Sequence, residues 1–113
     1  MENLNCIRNQ FGSKRLLILG FAREGIDTLR FLRKLFPNKV IGIADRLEAG
    51  GLETEAGKII KSEKKVKTFF GTDYLKSIGD YDVIIKAPGI SPKVIKPFLK
   101  KTHILTSQTE IFF

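Results

Sequence analysis

The 113-residue sequence contains no tryptophan, one cysteine, one histidine and one methionine. A single thiol, Cys6, allows no disulfide within the chain, which fits a reducing, cytoplasmic setting. One histidine and one cysteine make no Cys/His cluster, so no metal site is expected. His103 stands in a stretch that reads as a strand and is expected to be structural. No run approaches the roughly 18 apolar residues of a membrane span. Met1 to Gly12 is polar and mixed, without the apolar centre of an export signal. No serine or cysteine nucleophile has a plausible base beside it, so the chain is expected to bind and to carry no catalytic residue. There is no internal repeat and no low-complexity linker.

Acids are also few. Twelve Asp and Glu stand against 20 Lys and Arg, for a formal net charge of +8, so a nucleic-acid partner has to be considered. The cations, however, are spread from Arg15, Arg23, Arg30, Arg33 and Lys34 to Lys100 and Lys101, mostly on helix flanks and turns. The favoured reading is the solvated faces of a lysine-rich protein that meets neither nucleic acid nor membrane. The length suits one domain, and with 42% hydrophobic residues the chain can bury a core, much of it filled by nine Phe.

The chain is organised around Lys14 to Gly25, KRLLILGFAREG. The short continuous run Leu16 to Leu19 reads as a strand buried on both faces. It stops at Gly20, and a helical pattern begins after Gly25. The spacing Gly20-x-Ala22-x-x-Gly25 is the dinucleotide-binding fingerprint with alanine at its second glycine. Gly20 permits a tight turn, a small residue at 22 lets the backbone approach a phosphate, and Gly25 lets the helix lie against the strand. The free N–H groups and positive end of that helix face an anion. A tight turn with no ligand would show the same spacing. Ile26-Asp27 follows where a nucleoside-triphosphate loop has Lys-Ser/Thr, which excludes that loop.

The remaining elements alternate. Glu24 to Phe36 is an amphipathic helix, with Arg30, Arg33 and Lys34 on its outer side, ended by Pro37-Asn38. Lys39 to Ala44 reads as a second strand, with Asp45 at its end and Arg46 next. Leu47 to Lys65 is polar and glycine-bearing, with a weak helix over Thr54 to Ser62. Val66 to Phe70 is a third strand; Thr72 is placed to cap a short helix through Ser77. Tyr81 to Lys86 is a fourth strand with a β-branched centre. It runs into the rigid loop Ala87-Pro88-Gly89-Ile90-Ser91-Pro92, followed by a short helix from Pro97 to Lys101. Thr102 to Leu105 is a fifth strand, and Thr106 onward reads as a helix start capped by Ser107 or Thr109. Such alternation predicts an α/β, Rossmann-like, doubly wound five-stranded parallel sheet with helices on both faces. In an order 3-2-1-4-5, the first and fourth strands are neighbours and their loops flank the crevice where ligands bind. Glu110-Ile111-Phe112-Phe113 ends on three apolar residues, as if cut from something longer.

Asp45 lies where a strand-end acid takes a hydroxyl or N–H of a nucleoside. It would equally serve to cap a turn, and as a strand-end acid it is expected to support no core. Arg46 suits a phosphate, a base or plain solvent. Ala87-Pro88-Gly89-Ile90 is either a ligand loop or a rigid turn.

Together, ILGFAREG, Asp45 after a strand, IIKAPGIS and TSQTEIFF resemble the N-terminal domain of the Mur ligases, most closely the branch that adds D-glutamate. The resemblance runs from about Lys14 to Phe113. It implies a division into an N-terminal arm, residues 1–13, and a UDP-binding domain, residues 14–113, of a longer three-domain ligase of peptidoglycan biosynthesis. It implies that Gly20, Phe21, Ala22, Arg23, Glu24 and Gly25 meet a diphosphate, chiefly through the Arg23 and Glu24 N–H groups. Asp45 would meet uracil, with Arg46 beside it, and Pro88-Gly89 would approach the nucleotide of UDP-N-acetylmuramoyl-L-alanine. ATP, Mg and D-glutamate would be handled by domains absent here. Ala22 in place of a common glycine, and Arg46 directly after Asp45, depart from the family pattern. The alternative is an NAD(P)-binding domain of an oxidoreductase or regulatory protein, which the same fingerprint would serve.

Overall fold

The computed structural model describes residues 4–21, 23–46 and 55–107. In chain order these form α1 (Leu4–Phe11), β1 (Leu16–Leu19), α2 (Arg23–Leu35), β2 (Ile41–Asp45), α3 (Glu55–Ser62) and β3 (Val66–Phe70). A 3-10 helix (Tyr74–Asp80), β4 (Val83–Lys86), α4 (Pro92–Ile95) with a 3-10 extension (Lys96–Phe98), and β5 (Ile104–Ser107) follow. All strand pairs are parallel, in the order β3-β2-β1-β4-β5. The α/β doubly wound sheet, with its first and fourth strands adjacent, is therefore as the sequence predicts.

The continuous apolar run of β1 is buried at every position because both sheet faces are covered. Leu16 and Ile18 point into one cluster with Ile26, Leu29 and Leu32 of α2 and Ile41 and Ile43 of β2. Leu17 and Leu19 point into the other, with Ile78, Ile84 and Ile95. On that second face the Tyr81 ring lies flush against β2. A Cβ at Gly42 would come within 2.5 Å of it, so the strand needs glycine there. Phe69 meets Tyr81 edge-on, with centroids 5.9 Å apart at 82°. Burial pushes the Tyr81 phenol up from its ordinary value.

Several boundaries differ from the sequence reading. Leu4–Phe11 is helical, in a stretch for which the sequence predicts no element, and Phe11 is in the core. The helix after the proline loop starts at Pro92 rather than Pro97. Ser91 Oγ accepts the Lys93 N–H at 3.2 Å, and Pro92 brings a φ already suited to a first turn. Thr72 is exposed in a turn and caps nothing; the 3-10 helix starts after Asp73, which makes no side-chain capping bond. Thr106 and Ser107 belong to β5, not to a helix start, because Ile104 pairs with Val83 and carries the ladder on to Ser107 beside Lys86. The weak helix over 54–62 is present from Glu55. Thr109 and the residues after Ser107 lie outside the described residues, as do Ala22 and residues 47–54 of the glycine-bearing stretch after Arg46.

At the amino edge of the sheet, cations bond backbone carbonyls. Arg33, placed by sequence on the solvated side of α2, donates from Nη1 to Phe36 O (3.0 Å) and Lys39 O (2.6 Å). Its Nη2 donates to Lys65 O at 2.9 Å and pairs with Glu63 at 3.1 Å. One guanidinium thus joins the end of α2 to the starts of β2 and β3. Lys39 Nζ donates to Gly12 O and Lys14 O, both at 2.9 Å, and holds the α1–β1 turn. Arg15 and Asp82 join β1 to β4: the Arg15 N–H donates to Asp82 Oδ2 at 2.8 Å and Nη2 lies 3.3 Å from Oδ1. The Arg15 side chain and backbone N–H hold the Asp82 carboxyl below its ordinary value.

Arg33→Met, which keeps the stem and removes the fork, is expected to cost about 1–3 kcal/mol in urea unfolding, as part-buried carbonyls lose charged donors. Arg33→Lys recovers only part, because an ammonium cannot span both carbonyl sets. For Asp82 the folded pKa lies below the unfolded one. Its contribution is therefore complete above the unfolded value of about 3.9 and is lost as pH falls through the folded value. The melting-temperature gap between wild type and Asp82→Asn should accordingly be small at pH 7 and close further below about pH 4; a gap constant with pH contradicts this.

Candidate functional site

The carboxyl ends of the strands open onto a crevice of about 380 Å³. Its wall follows the strand order. Tyr74 enters after β3, Asp45 and Arg46 end β2, Gly20 and Phe21 follow β1, and Gly89 with its neighbours Ile90 and Ser91 follows β4. This is the switch point, where α/β sheets bind their ligands.

Gly20 has φ +91°, a left-handed conformation that favours glycine. A Cβ there would stand 2.9 Å from Ala87 Cβ and 3.0 Å from Ile90 Cδ1, so the turn after β1 and the loop after β4 touch at this residue. Gly20 N–H donates to Ala44 O at 2.7 Å, and Ala87 N–H to Leu19 O at 2.9 Å, tying the ends of the three central strands. At Gly25, a Cβ would lie 2.5 Å from Gly20 O, so α2 reaches the strand end only because this residue has no side chain. Both glycines thus have the geometry that the spacing implied. Between α2 and β4 a gap of about 10 Å³ remains, bordered by Glu24, Thr28 and Lys86, about the size of one water.

Asp45 does more than a strand-end acid was expected to do. Its Oδ2 accepts the Phe21 N–H at 2.7 Å, across 24 residues of sequence. The Phe21 side chain is 2% exposed, so this bond fixes the glycine turn over a buried ring. The Asp45 carbonyl accepts the Gly71 N–H at 3.1 Å and so begins the turn toward Tyr74. The acid therefore braces the loops on either side of it.

Of the residues singled out by sequence, Gly20, Phe21, Asp45, Arg46 and Gly89 share the crevice. Arg23, Glu24, Gly25 and Pro88 are outside its wall: Arg23 and Glu24 are exposed in the first turn of α2, and Gly25 is buried against Gly20. Ala22 lies outside the described residues. Sequence reasoning missed Tyr74 and Val94. Tyr74 was hidden in a stretch read for its capping threonine. Val94, 46% exposed, belongs to the helix that the sequence reading starts five residues too late. His103 is structural. Its Nδ1 accepts the Lys100 N–H at 2.7 Å, which leaves the ring proton on Nε2, 2.9 Å from Ile78 O. Among the described residues, no group of three His, Cys, Asp or Glu is placed to hold a metal, and no helix is long and apolar enough to cross a membrane.

Fold and crevice define a class: a doubly wound α/β domain with an opening of about 380 Å³ at its switch point, beside a glycine turn. No family model and no solved structure matches the sequence. The chain is 31% identical over 93 residues to the UDP-N-acetylmuramoylalanine--D-glutamate ligase of Exiguobacterium sibiricum. That match takes in 82% of this chain and 19% of the relative, so the chain spans about a fifth of the curated protein it matches.

The two crevice glycines should respond oppositely to a methyl group. Gly20→Ala forces a left-handed alanine against Ala87 and is expected to cost about 1–3 kcal/mol. Gly89→Ala puts its Cβ in open space, with nothing within 4 Å, and should change urea stability by less than about 0.5 kcal/mol.

Proposed function

We propose that this chain is the UDP-binding domain of a UDP-N-acetylmuramoyl-L-alanine:D-glutamate ligase. It would hold the UDP end of the substrate while ATP-dependent addition of D-glutamate takes place in other domains of a longer enzyme. The observation that carries this reading is the convergence of Gly20, Asp45 and Gly89, from three separate motifs, on one crevice at the switch point. The similarity to a ligase of that name over most of the chain supports it.

In this reading the diphosphate lies against the Gly20–Phe21 turn, on the side of the positive end of the α2 dipole. Glycine at 89 leaves room for the nucleotide to come against backbone. Asp45, fixed by its bond to Phe21, presents its carboxylate at the crevice wall, where it would accept the uracil N–H. Arg46, exposed at the rim, adds positive charge near the phosphates. None of these groups makes or breaks a bond. The domain positions the substrate, and ATP and Mg belong to the chemistry of the other domains. The nucleic-acid alternative loses ground because Arg33, Lys39 and Arg15 are engaged in holding the sheet edge.

Calorimetric titration with UDP, pyrophosphate and NADH tests the proposal. Wild type should bind UDP and should favour it over NADH. Asp45→Asn keeps an acceptor for the Phe21 N–H but loses the charge. It should retain its melting temperature and bind UDP about tenfold more weakly, the loss of a charge-assisted bond, with pyrophosphate unchanged. Asp45→Ala should lose stability as well. Equal UDP affinity in wild type and Asp45→Asn would remove Asp45 from the ligand, and tighter binding of NADH than of UDP would overturn the whole reading.

A further inference from the structure

Tyr74 is the part of the crevice wall that neither the glycine turn nor the strand-end acid explains. Along the carboxyl edge the wall passes from β4 to β1 to β2 to β3, with neighbouring strands about 4.8 Å apart. If the diphosphate lies at Gly20, after β1, and the base at Asp45, after β2, the next group in the same direction is Tyr74, after β3.

Its backbone is held on both sides. Tyr74 N–H donates to Gly71 O at 3.2 Å, and its carbonyl accepts Ser77 Oγ at 2.7 Å, with Ser77 buried. Gly71 can start this turn because it takes φ +102°. The half-buried ring packs on the core cluster that holds Leu19, Ala44 and Ile78, and it also lines the crevice. Val94 of α4 is on the same sheet face, since its neighbour Ile95 enters the same cluster, and it too lines the opening. An aromatic ring that packs on the core and also lines an opening offers a stacking surface for a planar base.

We propose that Tyr74 is the specificity-determining wall for the base: it stacks on the planar ring of a uridine nucleotide and so separates nucleotides from bare diphosphates. This inference rests on the reading of the crevice as a uridine-nucleotide site.

The test uses the whole 113-residue chain. Calorimetry compares UDP and inorganic pyrophosphate in wild type, Tyr74→Phe and Tyr74→Leu. The leucine keeps apolar contact with the core and removes the ring face. Tyr74→Leu should weaken UDP roughly tenfold, the usual scale of one base stack, leave pyrophosphate unchanged, and be rescued by Tyr74→Phe. Fluorescence gives an independent readout, because the chain has two tyrosines and no tryptophan. In Tyr81→Phe the emission comes from Tyr74 alone, and UDP should quench it. If wild type binds no UDP, the functional reading falls and this inference with it. If wild type binds UDP and Tyr74→Leu binds it equally, or loses pyrophosphate in the same proportion, the reading stands and the stacking role is overturned. Should Tyr74→Leu fail to fold, unquenched Tyr74 emission in UDP-bound Tyr81→Phe overturns it on its own.

Discussion

Between the carboxyl ends of β1 and β4 there is no room for a side chain at residue 20. The chain leaves β1 with a left-handed glycine, passes under Ala87 and Ile90, and enters α2 at a distance that a second missing side chain, at Gly25, makes available. Three consequences follow from this close approach. The start of α2 lies at the sheet edge with its N–H groups free of intrahelical partners. The proline loop after β4 rests on the glycine turn. Asp45, at the end of β2, comes within bonding distance of the Phe21 N–H. The crevice is the space these three loops leave between them, so its shape depends on backbone contacts that side-chain motion cannot easily change.

The opposite edge of the sheet answers a different constraint. A lysine-rich chain of net charge +8 repels itself, and part of that charge is put to structural use. Arg33, Lys39 and Arg15 collect carbonyls and a carboxylate from segments far apart in sequence and fix the entries of β1 to β4. The two ends of the sheet therefore divide the labour. Cations hold the amino edge together, while glycines and one acid shape the carboxyl edge.

What could be read from sequence was what local pattern determines. Leu16–Leu19 needed only its apolar run between two cations and a glycine, and Gly20 and Gly25 needed only their spacing. The boundaries that shifted are those fixed by distant partners. Thr106 and Ser107 carry the polar character of a helix start, yet pairing with β4 keeps them in a strand. Pro92 and Pro97 both suit a first turn, and the Ser91 hydroxyl decides between them. Arg33 reads as a solvated flank residue, because nothing near it in sequence reveals the Lys65 carbonyl 32 residues on. The bracing role of Asp45 and the presence of Tyr74 in the crevice were hidden for the same reason. Both depend on strand order at the carboxyl edge rather than on any motif.

The central claim is that the switch-point crevice is where a uridine nucleotide binds. At 12.8 kDa the chain is small enough for residue-by-residue amide spectra in solution, and titration with UDP tests the claim most directly. The account predicts saturable shifts concentrated at the amides of Gly20, Phe21, Asp45, Arg46, Tyr74 and Gly89, with the amino edge around Arg33 and Lys39 unmoved. Shifts confined to the amino edge, or none at UDP concentrations in the millimolar range, would contradict it.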